Sequence, residues 1–239
     1  MDIEYVQSEV LPLLKEYAED SLGSLRVYLK TLEEFINKQE DEEIASIKAR
    51  FPEGAEINWS YHYPAHWEDI FYSQLRSSFV VSIVSIAELY IDRICKQVSQ
   101  ILSLPFEYND KEKFKIRGNN FFRGKKYLRK FGNFKNPSDK LWELINLIYL
   151  VRNCIVHNNN DIETMKNEKG KIGKKLSNFV DKQPGLSESQ GYLEMHSEFP
   201  IFSIDKIQEF VSSLFDELEQ LCERVKQIET VAKYIVDFA

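Results

Sequence analysis

Hydrophobic residues recur along much of this chain at intervals of three and four positions, the spacing that places them on one face of a helix. The pattern predicts a first helix over residues 4–38 and a second over 65–104, which Pro105 ends. A third helix is predicted over 136–158, because it opens with Asn and Pro, a strong start signal. The last helix is predicted over 205–237, where an Asp and a Gln three residues later resemble a capping box.

The segments between these helices are more polar and predict shorter elements. An acidic run from Glu40 predicts a separate short helix ending near Phe51, because carboxylates suit a helix N-terminus. Another short helix is expected over Gly124–Phe131. Residues 161–190 are rich in Lys and predict a polar connection without regular structure. Residues 191–204 alternate in polarity and predict a small β-hairpin.

Composition agrees with a helical protein. The 239 residues include only 9 Gly and 7 Pro, few for a β-rich fold, and the hydrophobic content of 43% is enough for a sizeable core. We therefore expect an all-α fold of long helices with a small hairpin. Cys95, Cys154 and Cys222 are far apart, which indicates core residues of a reducing compartment and neither a disulfide framework nor a zinc site.

Charge and hydropathy limit the location and the partners of the protein. A formal net charge of −7 excludes a protein that coats nucleic acid with a basic surface on all sides, but it allows a local basic surface. The N-terminus is acidic and shows no secretion signal, and the longest apolar stretch, Phe79–Ile91, is too short to span a bilayer. Pro64 breaks the helical spacing between His62 and His66 that would suit a metal. We expect a soluble cytoplasmic protein with no membrane contact, no metal and no other cofactor.

The segment Lys111–Lys130 is the candidate basic surface. It holds nine Lys or Arg residues and one acid, interleaved with aromatic side chains. Cations bind phosphates and aromatic rings stack on bases, so the segment predicts contact with RNA. The alternative is a solvated loop whose Phe residues anchor the core. The candidate RNA-binding residues are Lys113, Lys115, Arg117, Arg123, Lys125, Lys126 and Arg129.

Arg152 and His157 end the most apolar of the predicted helices. A guanidinium and an imidazole are costly to desolvate, so their position at the end of such a helix indicates a use. Arg presents a planar fork of donors to an anion, and an imidazole titrates near neutral pH. Five positions correspond to about 140° of rotation on an ideal helix, so the two should not share a face. Either the helix unwinds between them or a second chain completes the pair.

The motif Arg152-Asn153-Cys154-Ile155-Val156-His157 resembles the signature of the HEPN superfamily, whose members are helical bundles and in many cases ribonucleases. The order of elements is also similar: a long helix with a Ser and a Glu, a basic middle, the motif helix, a hairpin and a last long helix. The resemblance implies an up-and-down helical-bundle domain over residues 61–239. Residues 1–60 are then an N-terminal helical extension.

The resemblance further implies a metal-independent endoribonuclease that acts as a homodimer with a composite active site, in phage defence or as a toxin with an antitoxin or other defence partner. His157 would move a proton at the ribose 2′-hydroxyl or the departing 5′-oxygen, and Arg152 would stabilise the charge on the phosphate. Asn153 would orient the imidazole or hold a phosphate oxygen. Glu88 and Asn158 are supporting candidates, with Glu88 expected to pair with Arg152.

Two other interpretations remain open. Arg152 and His157 are cations near a helix C-terminus, where they interact favourably with the last carbonyls without any catalytic role. Within the superfamily, some members are binding scaffolds, so a non-catalytic helical interaction or RNA-binding module is the alternative function. A related subgroup modifies a Tyr two residues after the motif His, and this chain has Asn159 there.

Overall fold

The computed structural model describes residues 3–106, 108–110 and 117–237, and it is 77% helix and 4% strand. The expected all-α fold with a small hairpin is therefore confirmed at that level. The chain opens with α1 (Ile3–Tyr5), a π-helical segment (Val6–Val10) and α2 (Leu11–Lys48). The predicted separate helix from Glu40 was wrong. The acidic run lies inside α2, because no proline or glycine interrupts the sequence there.

The second long helix follows a single helical turn, α3 (Trp59–His62), whose N-cap is Asn58. A π-helical segment (Trp67–Tyr72) then leads into α4 (Ser73–Ile101). The prediction of a helix over 65–104 agrees with this region to within a few residues at each end. The structure places three further residues between the end of α4 and Pro105.

Two helix starts differ from the predictions. Helix α5 (Asn120–Tyr127), continued by a π-helical segment (Leu128–Gly132), begins four residues before the predicted Gly124. Its N-cap is Asn119, whose Oδ1 accepts a hydrogen bond from the Phe122 N–H at 2.8 Å. Helix α6 (Asp139–Asn158) contains the motif and starts two residues after Pro137, the predicted first helical residue.

The late start of α6 has a clear physical reason. The hydroxyl of Ser138 accepts a hydrogen bond from the Leu141 N–H at 3.3 Å, so Ser138 is the cap and Asn136 is not. Asn136 instead donates its backbone N–H and its side-chain amide to Glu217 Oε1, at 2.7 and 3.1 Å. Glu217 is buried, and these two hydrogen bonds compensate part of the cost of burying its carboxylate.

The predicted connection over 161–190 was wrong, since it contains α7 (Ile162–Lys169) and α8 (Lys171–Val180). The two helices pack closely at Gly173, where a Cβ atom would lie 2.4 Å from the Met165 carbonyl oxygen. Only a glycine permits that approach. The many Lys residues of these helices are on the surface, which hid the few buried apolar positions from the sequence pattern.

The hairpin lies earlier than predicted. Strands β1 (Leu186–Ser189) and β2 (Tyr192–Met195) pair antiparallel across a two-residue turn at Gln190 and Gly191, which have φ values of 50° and 85°. Positive φ at both positions is typical of the type I′ turn that matches strand twist. Helix α9 (Glu198–Asp237) follows, so Phe199–Pro200 belongs to its first turn and the predicted capping box at 205 lies inside it.

The chain divides into two compact units. The first contains residues 1–22, 83–150 and 203–239, and the second contains 23–82 and 151–202. Large buried side chains of the first include Tyr90, Phe121, Phe210 and Phe215, and those of the second include Leu29, Phe79, Leu176 and Phe199. The predicted boundary at residue 60 does not coincide with a limit of either unit and stays a prediction. No helix in the described part of the chain is long and apolar enough to cross a membrane.

Candidate functional site at the end of helix α6

The last two turns of α6 place the motif residues at three different depths. Val151 and Cys154 are buried and anchor the helix in the core of the second unit. Arg152 and Asn153 are half-buried beside them, and His157 is exposed. This gradient follows from helical spacing, since the apolar residues three positions apart occupy one face. The imidazole is therefore accessible, while the guanidinium is partly held by its surroundings.

Arg152 and His157 meet within one chain. The Arg152 Nη1 atom donates to Asn153 Oδ1 at 3.0 Å and lies 3.4 Å from His157 Nε2. The expectation that only an unwound helix or a second chain could bring the two side chains together was wrong, because the helix continues through Asn158 without unwinding. The long arginine side chain reaches around the helix, so rotation about the axis does not keep the two groups apart. The contribution of a second chain stays a prediction.

The contact between Arg152 and His157 requires one particular tautomer of the imidazole. A guanidinium has only donors, so His157 Nε2 must be the acceptor, with the ring proton on Nδ1. In this form the single Nε2 lone pair faces Arg152, and it becomes available to a substrate hydroxyl when the guanidinium turns towards an anion. Asn153 supplies the acceptor that keeps Nη1 in place. The three side chains therefore form a chain of contacts suited to an anionic ligand with an adjacent hydroxyl.

Unpaired polar atoms are concentrated at this end of the helix. Within residues 152–160, Arg152 Nε, Asn158 Oδ1 and Asn160 Oδ1 are buried and form no hydrogen bond with the described part of the chain. Each such atom costs about 1–3 kcal/mol. A cluster of them in a folded protein requires an explanation, and a functional role is one of the few available. Asn158 and Asn160 lie outside the motif Arg152–His157, so their two unpaired atoms are a separate signal for the same location.

The loop after α6 is fixed by the hairpin. Asn159 and Asn160 adopt φ values of 50° and 65°, a left-handed conformation that Asn tolerates. The Asn160 N–H donates to the Cys154 carbonyl at 3.2 Å, and the Asn160 carbonyl accepts from Leu193 N–H at 2.8 Å. The Ile162 N–H donates to the Gly191 carbonyl at 2.9 Å. The second strand thus holds the residues that directly follow the motif.

The surroundings of Asp161 and Cys154 shift the pKa values of both side chains. The hydroxyl and backbone N–H of Thr164 donate to the Asp161 carboxylate and hold its pKa below the ordinary value, so Asp161 caps α7 as an anion. Burial raises the pKa of the Cys154 thiol to about 12, with the Asp161 charge adding to the effect. A thiolate is therefore strongly disfavoured at Cys154, which acts as a core residue.

A polar cleft of about 390 Å³ adjoins this loop within the second unit. Its lining includes Arg76, which donates from Nε to Glu33 Oε1 at 2.9 Å and from Nη1 to the Met195 carbonyl at 3.2 Å. The cleft residues come from the π-helical segment and start of α4, from the loop after α6, and from β2. They are Glu68, Asp69, Ser73, Gln74, Arg76, Asn159, Asn160 and 192–196.

Two of the predicted RNA-binding cations are engaged within the chain. Lys125 Nζ and Arg129 Nη1 lie 2.5 and 2.9 Å from Asp139 Oδ1, at the first turn of α6. The hydrogen bond from Lys125 is the main cause that lowers the pKa of the Asp139 carboxyl. A phosphate binding to either cation has to compete with this carboxylate. The charges of Lys125 and Arg129 are therefore already partly neutralised within the chain, and their contact with RNA stays a prediction.

The other candidates of the basic segment differ in accessibility. The Arg123 guanidinium lies 5.7 Å from the centre of the Tyr108 ring and donates from Nη2 to Asn120 Oδ1 at 2.8 Å, which makes it a packing residue. Arg117 and Lys126 are exposed. Lys113 and Lys115 lie outside the described residues.

Glu88 has a hydrogen-bond partner in the first unit. Its Oε1 atom accepts a hydrogen bond from Asn120 Nδ2 at 3.0 Å. Glu88 is half-buried on α4, and this amide satisfies one of its oxygens. The pairing of Glu88 with Arg152 stays a prediction.

Sequence reasoning found the motif residues but missed the cleft. Arg76, Tyr192 and His196 belong to no recognisable local pattern, and the cleft that they line combines segments that are distant in sequence. The consecutive Asn residues 158–160 were the one available signal, since Asn tolerates left-handed turns. No family model matches the chain, and neither curated proteins nor solved structures show a significant similarity to it.

Proposed function

We propose that this protein is a metal-independent endoribonuclease of the HEPN type, with an up-and-down helical bundle as its fold. The single observation that carries the proposal is the 3.4 Å contact between Arg152 Nη1 and His157 Nε2, at an accessible helix end. The unpaired atoms of residues 152–160 support the same location. Cleavage of a phosphodiester by an internal hydroxyl needs a hydrogen-bond donor to the phosphate next to a group that accepts a proton, and Arg152 and His157 provide these two groups.

In the proposed reaction, the Arg152 guanidinium turns from His157 Nε2 to the phosphate, and the freed Nε2 takes the proton from a ribose 2′-hydroxyl. The O2′ atom then attacks the adjacent phosphorus. The P–O5′ bond breaks, and the departing oxygen receives a proton from an imidazolium. The products are a 2′,3′-cyclic phosphate and a 5′-hydroxyl end. Arg152 stabilises the charge on the non-bridging oxygens in the transition state, while Asn153 positions its guanidinium. The need for a 2′-hydroxyl makes RNA the substrate and excludes DNA.

The reaction uses one base and one acid, and each chain supplies one motif histidine. A two-fold homodimer that brings two α6 ends together provides both groups, which is the composite site that the resemblance implies. We assign the protein to a defence or toxin setting, with an antitoxin or another component of the same system as its partner. That assignment rests on analogy with the superfamily.

The test is cleavage of a labelled RNA in EDTA by purified wild type and by His157→Ala. His157 is exposed, so the substitution should leave the fold intact. We expect a loss of about 10²–10⁴-fold in rate, typical of removing a general acid or base, and a cyclic phosphate end on the wild-type product. His62→Ala, a substitution of another exposed histidine, is the matched control and should retain wild-type activity.

The possible results separate three interpretations. Equal cleavage by wild type and His157→Ala would assign the activity to a contaminant or to other residues. A wild-type protein that binds RNA without cutting it would support the non-catalytic helical interaction module instead. Cleavage that requires an added divalent cation would contradict the metal-independent chemistry proposed above.

A further inference from the structure

The polar cleft beside the loop after α6 combines an aromatic ring, on which a planar ligand can stack, with several side chains that accept hydrogen bonds. We propose that it holds the base of the nucleotide next to the cleaved phosphate and selects guanine over uracil. This inference rests on the proposed ribonuclease function and adds a specificity determinant to it. The residues that carry the proposal are Glu68, Asp69, Asn160, Tyr192 and Glu194, all of which line the cleft.

The charges of the cleft favour a neutral ligand rich in N–H donors over a phosphate. Glu68, Asp69 and Glu194 are exposed carboxylates that accept hydrogen bonds and repel anions. The one arginine of the lining, Arg76, has its positive charge paired with Glu33 at 2.9 Å. A guanine Watson–Crick edge presents a ring N–H beside an amino group, which matches a carboxylate. Uracil presents one N–H between two carbonyls and would place its oxygens against these acids.

Asn160, three residues after His157, supplies a further acceptor to the cleft. Its Oδ1 atom is buried without a hydrogen bond among the described residues, so turning the amide towards a ligand breaks no bond at that oxygen. A donor-rich base would satisfy it. The left-handed backbone of Asn160, with φ of 65°, is held by the hydrogen bond from Leu193 N–H to its carbonyl. The side chain can therefore move without moving the loop.

Tyr192 provides the stacking surface. It opens β2, opposite Ser189, and is 52% exposed although it lines the cleft. Aromatic side chains are a common stacking platform for splayed bases of single-stranded RNA. Loss of such a ring weakens binding roughly tenfold or more.

The cleft is close enough to the motif to contact a neighbouring nucleotide. Asn159 is two residues after His157, so their Cα atoms are at most about 7.6 Å apart. The hydrogen bonds that fold the loop back on the helix end keep Asn160 nearby. A base attached to the ribose that reacts at His157, or to the next ribose, can therefore enter the cleft.

The test measures binding of free nucleosides to the full chain, without cleavage, by ligand-observed NMR and calorimetry. Guanosine, uridine and N-acetylargininamide are the probes, and the third represents a cationic peptide partner. We expect guanosine to bind the wild type at least tenfold more tightly than uridine. Asn160→Gly and Tyr192→Leu should each weaken guanosine about tenfold, while Tyr192→Phe should not.

The matched control is Asn133→Gly. Asn133 is exposed, has a φ of 54° and does not line the cleft, so it tests the same substitution in the same backbone conformation. It should leave guanosine binding unchanged. Circular dichroism of each variant checks that the fold is retained.

Several results would overturn the inference. These are no guanosine binding, equal binding of guanosine and uridine, and tighter binding of N-acetylargininamide, which would make the cleft a site for a cationic peptide. Failure of the ribonuclease proposal gives a different pattern, because guanosine would then bind with the expected selectivity while RNA remains uncut. Conversely, if RNA cleavage is lost in His157→Ala but is unchanged in Asn160→Gly and Tyr192→Leu, the base site is contradicted while the ribonuclease proposal stands.

Discussion

The pair formed by Glu33 and Arg76 is expected to control the stability of the second unit. Arg76 Nε donates to Glu33 Oε1 at 2.9 Å, and the side chains are only 13% and 15% exposed. The guanidinium also donates to the Met195 carbonyl and lies 4.7 Å from the centre of the Tyr72 ring. Replacing Arg76 with Met removes all three interactions and leaves the Glu33 carboxylate without its cation and with little access to solvent.

The expected magnitude follows from this burial. Breaking a fully buried ion pair by removing one partner typically costs about 3–5 kcal/mol, and the 13% and 15% exposure of these side chains places Arg76→Met at the lower end of that range. For a chain of this length we expect Arg76→Met to lower the melting temperature by about 10 °C. Replacing both residues removes the uncompensated charge. The double variant Glu33→Met with Arg76→Met should therefore be at least as stable as Arg76→Met alone.

The assay is a double-mutant cycle in urea, followed by circular dichroism and tryptophan fluorescence. Lys30 and Glu34 form the control pair on the same helix, at 4.0 Å and with side chains 78% and 68% exposed. Lys30→Met should change stability by less than about 0.5 kcal/mol. The reasoning is refuted if Arg76→Met costs less than about 1 kcal/mol, or if the two single effects simply add in the double variant.

Three further predictions concern the same unit. Gly173→Ala should destabilise the protein by about 1–3 kcal/mol in urea unfolding, because the new Cβ meets backbone of Lys166 at 2.5 Å; a neutral effect would contradict the close packing of α7 and α8. The lowered pKa of Asp161 stabilises the fold above the carboxyl's ordinary pKa, and this contribution is lost as the pH falls through the lowered value. The difference in free energy of unfolding between wild type and Asp161→Asn should accordingly shrink on acidification. A difference that does not change with pH would contradict the lowering of the Asp161 pKa by Thr164. Cys154, with a pKa of about 12, should resist alkylation by iodoacetamide at pH 8 in the folded protein and react after unfolding, as mass spectrometry can show.

Periodicity located the long helices because each buries one wide apolar face. It failed for α7 and α8, where a few buried residues such as Ile162 and Leu176 lie among surface lysines. The Asn-Pro start signal also placed the N-cap of α6 at Asn136, although Ser138 is an equally good cap. The choice between them depends on Glu217, 81 residues away, which takes both donors of Asn136. Such a competition for hydrogen bonds cannot be seen in a local sequence pattern.

The candidate site shows the same division between local and distant information. The motif of Arg152, Asn153 and His157 is contiguous, so sequence alone identified it. Its geometry was nevertheless predicted wrongly, since the rotation of the helix was considered without the reach of the arginine side chain. Asn160 and Tyr192 became candidates only when the hairpin was seen to hold the loop after the motif.

The sequence by itself therefore determined the helical class, the long helices and the identity of the motif residues. These depend on backbone hydrogen bonds and on the burial of apolar side chains at regular spacing, which are properties of neighbouring residues. Only the tertiary structure decided which polar atoms remain unpaired, which cations are already neutralised and where a cleft forms. Those outcomes depend on distances between residues that are far apart along the chain.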